Sequence, residues 1–459
     1  MKPPIAQITL FILALAARIP FLFAGYGVEE DSWGHVLNAA EMEESGHYII
    51  SRLPGHPLFE GLLLILYKVH SPFVFNMGSA LASALAVVVF YSLARMVKPE
   101  TAFAWSVGFG LVPIFFISGT YTIDYAYALL FLLLSLYAVL KDKTYDAAIW
   151  LAIATGFRIT SLGFLLPLFV IIWHQASPAN SKALKLRELF KLTFISVAIS
   201  IFFYLPPIFE YGFGFFDFHK PPYPPFLEAI FKSTVGVWGT LALPVIFGTT
   251  LFHLYKTKNV WRTALLAAFV VFGTSYFRMP EKAAFWLPVV PLVLLFLSSS
   301  LSRKAALSFA FILGVSSFFC GINKTDMHVG ADYSALAITF GSTDGQLFLD
   351  PLNGPAQNDL SKRKNKAKAV ELVQKQLINI DEPTLLVAGF WQAMLEVNRI
   401  DGHWINPKVK TVYLEKPEVL EMYRQAGYQL RYLPQQAEIN DRKHKTDYTH
   451  THGKILNIE

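Results

Sequence analysis

Long apolar stretches separated by short polar breaks dominate the chain, and their length decides how they are read. A bilayer core of roughly 30 Å is crossed by about 20 apolar residues in helical form. Stretches of this kind lie near residues 7–25, 72–94, 101–119, 123–140, 145–157 running closely into 161–174, 191–209, 235–255, 260–277, 284–301 and 305–322. The pattern predicts an all-α polytopic membrane domain over residues 1–322 with about eleven transmembrane helices. Only Lys2 precedes the first stretch as a basic residue, and no A-x-A pattern stands between its end and the acidic residues 29–31, so it reads as an uncleaved helix and not a signal peptide. Ser32–Ser45 has helical character. Leu58–Val69 is amphipathic and too short to cross, so it is expected along the outer interface.

Beyond residue 322 the pattern changes. Ala369–Ile378 has helical periodicity, Thr384–Phe390 reads as a buried strand, and Lys410–Leu414 and Tyr428–Leu433 are further strands flanking a helix over Glu418–Ala426. This alternation predicts a small extracytoplasmic α/β domain over residues 323–459, with a loosely ordered polar tail from about Asn440. The sequence shows no internal repeat.

Composition agrees with the membrane reading. Of 459 residues 54% are hydrophobic and 16% charged, with mean hydropathy +0.42, against about 25% charged in average soluble domains. A purely water-soluble enzyme is thereby excluded. The single cysteine, Cys320, excludes a disulfide scaffold and a cysteine-ligated metal site. Net charge is +6, but residues 321–459 carry 17 Lys+Arg and 17 Asp+Glu, so the excess lies wholly within the hydrophobic part. There it reports orientation, not nucleic-acid binding. With the N-terminus cytoplasmic, the inside loops hold 14 basic residues against four acids, and the outside segments of residues 1–320 hold eight against 12. Loop Lys/Arg bias sets topology, so the expectation is a multi-pass protein of the plasma (inner) membrane with its C-terminal domain outside.

Chemistry is sought among polar groups that hydrophobicity does not explain. The first outer loop carries Glu29, Glu30 and Asp31 directly before a helix. A helix N-terminus favours acids, but one would satisfy it. Arg52 and His56 follow in a Pro-rich turn, Asp124 stands at the outer start of the fourth span, and Arg158 lies at the outer ends of two helices. Arg278 and Lys282 frame a charged turn, Arg278-Met-Pro-Glu-Lys-Ala-Ala-Phe-Trp286-Leu-Pro288-Val-Val-Pro291. Singly, these read as a helix cap, a snorkelling arginine and an aromatic belt. Together they converge on the face that the loop charges place outside.

The set resembles the GT-C superfamily of integral-membrane glycosyltransferases, nearest to its protein O-mannosyltransferase and lipid A aminoarabinose transferase branch. The resemblance rests on Glu30-Asp31 followed by Trp33, on Glu44-Ser45-Gly46, on the Pro54-Gly55-His56-Pro57 turn with interfacial helices on either side, and on the Arg278–Pro291 segment. It covers roughly residues 7–300. The family pattern is Asp-Glu, whereas this chain has Glu-Asp, which leaves the identity of the base open.

The resemblance implies transfer of a sugar from a polyprenyl-phosphate donor to a glycan, lipid or protein acceptor on the outer face, with inversion. Asp31, or second Glu30, would be the general base. Arg52, Arg158, Arg278 and Lys282 would meet the lipid phosphate, and His56 could join them. Asp124 could orient the acceptor or share a divalent cation, Mg²⁺ or Mn²⁺, with Glu30. Phe213–Phe216 and Phe218–Pro225 form an aromatic and proline-rich loop that is either a lid on a lipid groove or a rigid interfacial loop. Trp391, Asp401, His403 and Trp404 either read a sugar or belong to a core. A transporter would instead place charges near the bilayer midplane; an outer-face lipid-linked glycan ligase would share the arginines but need no carboxylate base.

Overall fold

The computed structural model describes residues 3–175, 182–216, 226–278, 280, 282–324, 332–341, 347–433 and 435–456. The first half is helical: α1 (Pro3–Arg18), α2 (Glu30–Ser45), α3 (Pro57–Tyr67), α4 (Pro72–Val97), α5 (Ala102–Gly110), α6 (Pro113–Ser118), α7 (Tyr125–Leu140) and α8 (Thr144–Phe157). There follow α9 (Leu165–Gln175), α10 (Lys182–Phe203), α11 (Leu205–Tyr211), α12 (Phe226–Lys256), α13 (Val260–Arg278), α14 (Val290–Ser300) and α15 (Arg303–Phe318). The longest apolar helix of the first half, α4, packs against α1, α5, α7 and α14.

Among the described residues four helices are individually long and apolar enough to cross a membrane: Pro4–Phe21, Pro72–Val97, Phe226–Lys256 and Val260–Arg278. The pair α10 and α11, bent by 49°, makes a fifth if it counts as one span. The remaining apolar segments are broken or shorter than the eleven-span pattern anticipates, and proline is a physical reason. Residues 101–119 were expected as one helix. Instead, Val112 adopts an extended ψ of 124° before Pro113, and the helix restarts there as α6, because the residue before proline disfavours the helical region. Pro206 and Pro207 stand in the first turn of α11, which follows a break at Tyr204 (φ −88°, ψ 3°).

Within α12, Gly239 leaves the helical region (φ 71°, ψ 168°). The break frees the Trp238 carbonyl and the Ala242 amide, and one hydroxyl satisfies both: Ser316 Oγ donates to Trp238 O (2.9 Å) and accepts from Ala242 N (3.1 Å).

Past α15 come β1 (Gly321–Lys324), β2 (Ile338–Phe340) and β3 (Leu347–Asp350), an antiparallel sheet in the order β1-β3-β2. Then follow α16 (Pro355–Ile378), β4 (Thr384–Val387), α17 (Gln392–Ile400), β5 (Val409–Val412), α18 (Pro417–Gln425), β6 (Gln429–Tyr432), α19 (Gln436–His444), α20 (Tyr448–His452) and β7 (Lys454–Ile455). These strands form a parallel sheet in the order β5-β4-β6-β7. β4 (TLLV) is buried throughout, as a strand covered on both faces requires.

The tail beyond Asn440 is more ordered than its polarity suggested. Asp441 accepts from the Thr449 and His450 amides (2.8 and 3.1 Å), and Asn440 Nδ2 donates to Thr449 Oγ1 (2.8 Å), which ties α20 to α19. The hydrophobic core runs without a break from the helical bundle into this region, joining Trp33 and Val36 with Leu386, Trp391 and Trp404.

A Cβ at Gly239 would lie 2.2 Å from Ser316 Oγ and 2.7 Å from its carbonyl oxygen. Gly239→Ala should therefore cost about 2 kcal/mol or more in thermal unfolding in detergent. Gly248→Ala, where nothing approaches within 4 Å, should stay within about 0.5 kcal/mol. Equal unfolding temperatures for the two variants would contradict this account of the kink.

Candidate active site

The polar residues of the loop between α1 and α2 are positioned by hydrogen bonds to neighbouring helices. Asn76 of α4 donates to the carbonyls of Leu22 (2.9 Å) and Gly25 (2.8 Å), the Thr122 amide donates to Tyr26 O (2.9 Å), and Trp33 Nε1 reaches back to Gly27 O (3.0 Å). α2 starts directly after this anchored turn, with Glu30 and Asp31 in its first turn where the helix dipole favours them. The next loop is held by Glu60 of α3, which is fully buried. Its carboxylate accepts from Ser51 N (2.9 Å), Ser51 Oγ (2.6 Å) and Tyr48 Oη, which fixes the backbone just before Arg52.

Arg52 binds three side chains. Its Nη2 donates to Asp124 Oδ1 (3.0 Å), its Nη1 pairs with Asp31 Oδ2, and its Nε donates to His56 Nε2 (3.0 Å). Asp124 has no exposed surface, and its second oxygen accepts from Arg158 Nη1 (2.8 Å). The Arg158 guanidinium lies over the rings of Tyr125 (4.6 Å) and Phe285 (4.9 Å). Lys282 pairs with the same Asp31 oxygen as Arg52 and donates to Glu29 Oε2 (2.9 Å). Residues 29, 31, 52, 124, 158 and 282 thus form one continuous ion network.

Glu30 stands apart from it. It accepts a hydrogen bond from the phenol of Tyr413, the residue just after β5, 3.3 Å from Oε2.

The two neighbouring carboxyls therefore have opposite electrostatics. Burial pushes Asp31 up, but Arg52 and Lys282 outweigh it and hold the group well below the usual carboxylate range. Burial, with Asp31 alongside, pushes Glu30 up to about 7 against the pull of Lys366, Tyr413 and Lys282. His56 is lowered to about 4, first by burial and then by Arg52 and Arg158, against Asp124. Since Arg52 Nε–H donates to its Nε2, the ring is neutral and carries its proton on Nδ1, 2.9 Å from Phe157 O. His56 thus holds Arg52 and has no ring nitrogen left for a phosphate.

The structure gathers Asp31, Arg52, His56, Asp124, Arg158 and Lys282, with Glu30 beside them. Arg278, at the end of α13, is exposed, and Lys282 takes the place at the carboxylates. A divalent cation shared by Glu30 and Asp124 does not suit this donor set, because guanidinium groups already occupy both Asp124 oxygens. Among the described residues no group of three His, Cys, Asp or Glu is placed to hold a metal. Gly212–Phe216 forms a short 3-10 turn, while Phe218–Pro225 and Glu281 lie outside the described residues. Trp404 is core, donating from Nε1 to Leu395 O (2.9 Å), and Asp401 meets His70 (3.1 Å) while His403 is exposed.

Sequence reasoning missed two residues of the basic run Lys362–Lys368. Arg363 is buried and donates to Phe21 O (3.1 Å), Thr120 O (3.0 Å) and Thr120 Oγ1 (2.8 Å), and Lys366 donates to Val28 O (3.2 Å). A helical period places the two on one face, but a run of charges hides which of them that face buries.

No protein-family model matches the sequence, and no curated protein does. Among solved structures the chain is similar to ArnT from Cupriavidus metallidurans in the apo state, with a TM-score of 0.54, 12% identity, and 87% of this chain and 89% of that one covered. It is also similar to ArnT from Cupriavidus metallidurans bound to undecaprenyl phosphate, with a TM-score of 0.55, 11% identity, and 95% and 87% covered. This likeness is one of fold, and it supports the GT-C resemblance carried by the motifs around residues 30–57 and 278–291.

Removing one partner of a buried ion pair leaves uncompensated charge and costs about 3–5 kcal/mol. Asp124→Asn should therefore destabilise the protein by about 3 kcal/mol in detergent unfolding, and Asp31→Asn, at the more accessible end of the network, by about 1 kcal/mol. The reverse order would contradict the central role given to Asp124.

Proposed function

We propose that the chain is a membrane glycosyltransferase that moves a sugar from a polyprenyl-phosphate carrier to an acceptor hydroxyl on the outer face of the membrane, with inversion. One observation carries this reading: a carboxylate held near neutral pKa, Glu30, adjoins a cation cluster of Arg52 and Lys282 in a fold shared with a protein solved with undecaprenyl phosphate. The basic loops at residues 95–98, 141–143, 182–191, 256–262 and 303–304 support a cytoplasmic placement of the opposite ends of these helices. On that orientation the site and the C-terminal α/β region lie outside.

In the proposed reaction the lipid phosphate sits against Arg52 and Lys282, sharing them with Asp31. The guanidinium of Arg52 offers planar paired donors and Lys282 a mobile point charge. The acceptor oxygen attacks the anomeric carbon from the side opposite the phosphate. As that bond forms, the bond from carbon to phosphate oxygen breaks and its electron pair stays on the phosphate, where the two cations meet the added charge. The acceptor hydroxyl proton passes to Glu30. Glu30 suits this role better than Asp31, because a base works best with a pKa near the operating pH and Asp31 is consumed by two cations. Asp31 instead keeps Arg52 and Lys282 together.

The test is sugar transfer in proteoliposomes with a panel of polyprenyl-phosphate sugars. Glu30→Gln should lower kcat by about 100-fold or more, and Asp31→Asn should mainly raise the donor KM. Glu30 accepts a proton only when ionised, so wild-type kcat/KM should rise with pH through about 7 and then level off. Equal turnover in wild type and both variants would contradict the carboxylate mechanism; collapse in Asp31→Asn alone would move the base to Asp31.

A further inference from the structure

The membrane helices supply only part of the surroundings of Glu30. In parallel α/β sheets, functional groups emerge at the carboxyl ends of the strands, and here two of those ends face the start of α2. β5 ends at Val412, and the next residue, Tyr413, places its hydroxyl 3.3 Å from Glu30 Oε2. β4 ends at Val387 and leads into Phe390, whose ring meets Tyr413 edge-on at 5.8 Å, and into Trp391. Lys443 of α19 lies 5.2 Å from the Tyr413 ring centroid.

Lys366 of α16 donates to the carbonyl of Val28, two residues before Glu30, and its ammonium lies 6.0 Å from the Trp391 ring. Arg363, one turn earlier on the same helix, holds the carbonyls of Phe21, at the start of the loop before α2, and of Thr120, between α6 and α7. α17 packs along α2. The backbone that presents Glu30 is therefore held by α16 through Val28, while α2 itself packs on α17.

We propose that the C-terminal α/β region completes the active site, with Tyr413 and Lys366 as positioning residues that hold Glu30 toward the acceptor. The proposal rests on Glu30 being the base. Tyr413 gives the carboxylate one directional donor and so restricts its rotation. Lys366 fixes the turn from which the side chain springs and adds a positive charge nearby. The charged and titratable groups facing Glu30 are Asp31 on its own helix, Lys282 after α13, Lys366 on α16, Tyr413 after β5 and Lys443 on α19. Lys366, Tyr413 and Lys282 each favour the ionised form; burial and Asp31 oppose it.

The experiment compares wild type with Tyr413→Phe, Lys366→Met, Lys366→Arg and the control Arg424→Gln, whose ion pair with Glu421 lies on α18. Two readouts are taken on the full-length protein in proteoliposomes. In transfer assays, Tyr413→Phe and Lys366→Met should lower kcat by roughly three- to tenfold with little change in donor KM; Lys366→Arg should restore it. The second readout is labelling of Glu30 by dicyclohexylcarbodiimide, which attacks protonated carboxyls, quantified by mass spectrometry across pH.

The labelling midpoint should rise by about half a pH unit or more in Tyr413→Phe and Lys366→Met. It should stay at the wild-type value in Lys366→Arg and Arg424→Gln. Unmoved midpoints in both Tyr413→Phe and Lys366→Met overturn the proposal, as does a fall in kcat that Lys366→Arg fails to restore. If wild type transfers no sugar, the labelling series still decides whether these residues govern Glu30, so failure of the glycosyltransferase reading and failure of this inference are told apart.

Discussion

The ion pairs of Asp124 with Arg52 and Arg158 are the constraint on which the rest of the site depends. A carboxylate with no exposed surface cannot stay ionised alone, because its desolvation cost far exceeds any packing gain. Two guanidinium groups must therefore reach it, and they come from different parts of the chain: Arg52 from the loop before α3 and Arg158 from the end of α8. Once Arg52 is held there, and its Nε is occupied by His56, its remaining nitrogen projects toward Asp31, where Lys282 also arrives. A single buried charge thus ties the start of α2 to the loop before α3, the start of α7 and the end of α8.

The consequence is a division of labour among three adjacent acids. Glu29 is the extended N-cap residue (φ −70°, ψ 144°), and Glu30 and Asp31, the first two helical residues, are rotated by about 100° from one another and so face different surroundings. Glu29 and Asp31 turn toward Lys282 and become part of the ion network. Glu30 turns toward the C-terminal region, where burial and the neighbouring Asp31 raise it and Tyr413 gives it one hydrogen bond. Two carboxyls one residue apart then differ in protonation at neutral pH, the arrangement by which one site separates charge stabilisation from proton transfer.

Much of this was legible in the sequence. Apolar length marked the helical segments, and loop charge marked a common end for Glu30, Asp31, Arg52, Asp124, Arg158 and Lys282, which the fold does bring together except that Glu30 stays outside the network. The strands at 384–387, 409–412 and 429–432 follow the apolar runs that predicted them. What the pattern left out was tertiary. Hydrophobicity averaged over a window does not register Pro113 breaking residues 101–119, nor Gly239 opening α12. The choice between Glu30 and Asp31 depends on which of them Lys282 reaches across about 250 residues. In sequence Lys362–Lys368 is only a basic run, and it takes the docking of α16 to show that Arg363 and Lys366 are buried.

The account turns on the separation of anion binding from proton acceptance. Its most direct test is equilibrium binding of undecaprenyl phosphate to detergent-purified wild type, Glu30→Gln and Lys282→Met, for example by native mass spectrometry. The account predicts that Glu30→Gln binds within about twofold of wild type, while Lys282→Met, lacking one charge-assisted contact, binds about tenfold more weakly. Equal loss of binding in both variants, or no loss in Lys282→Met, would contradict it.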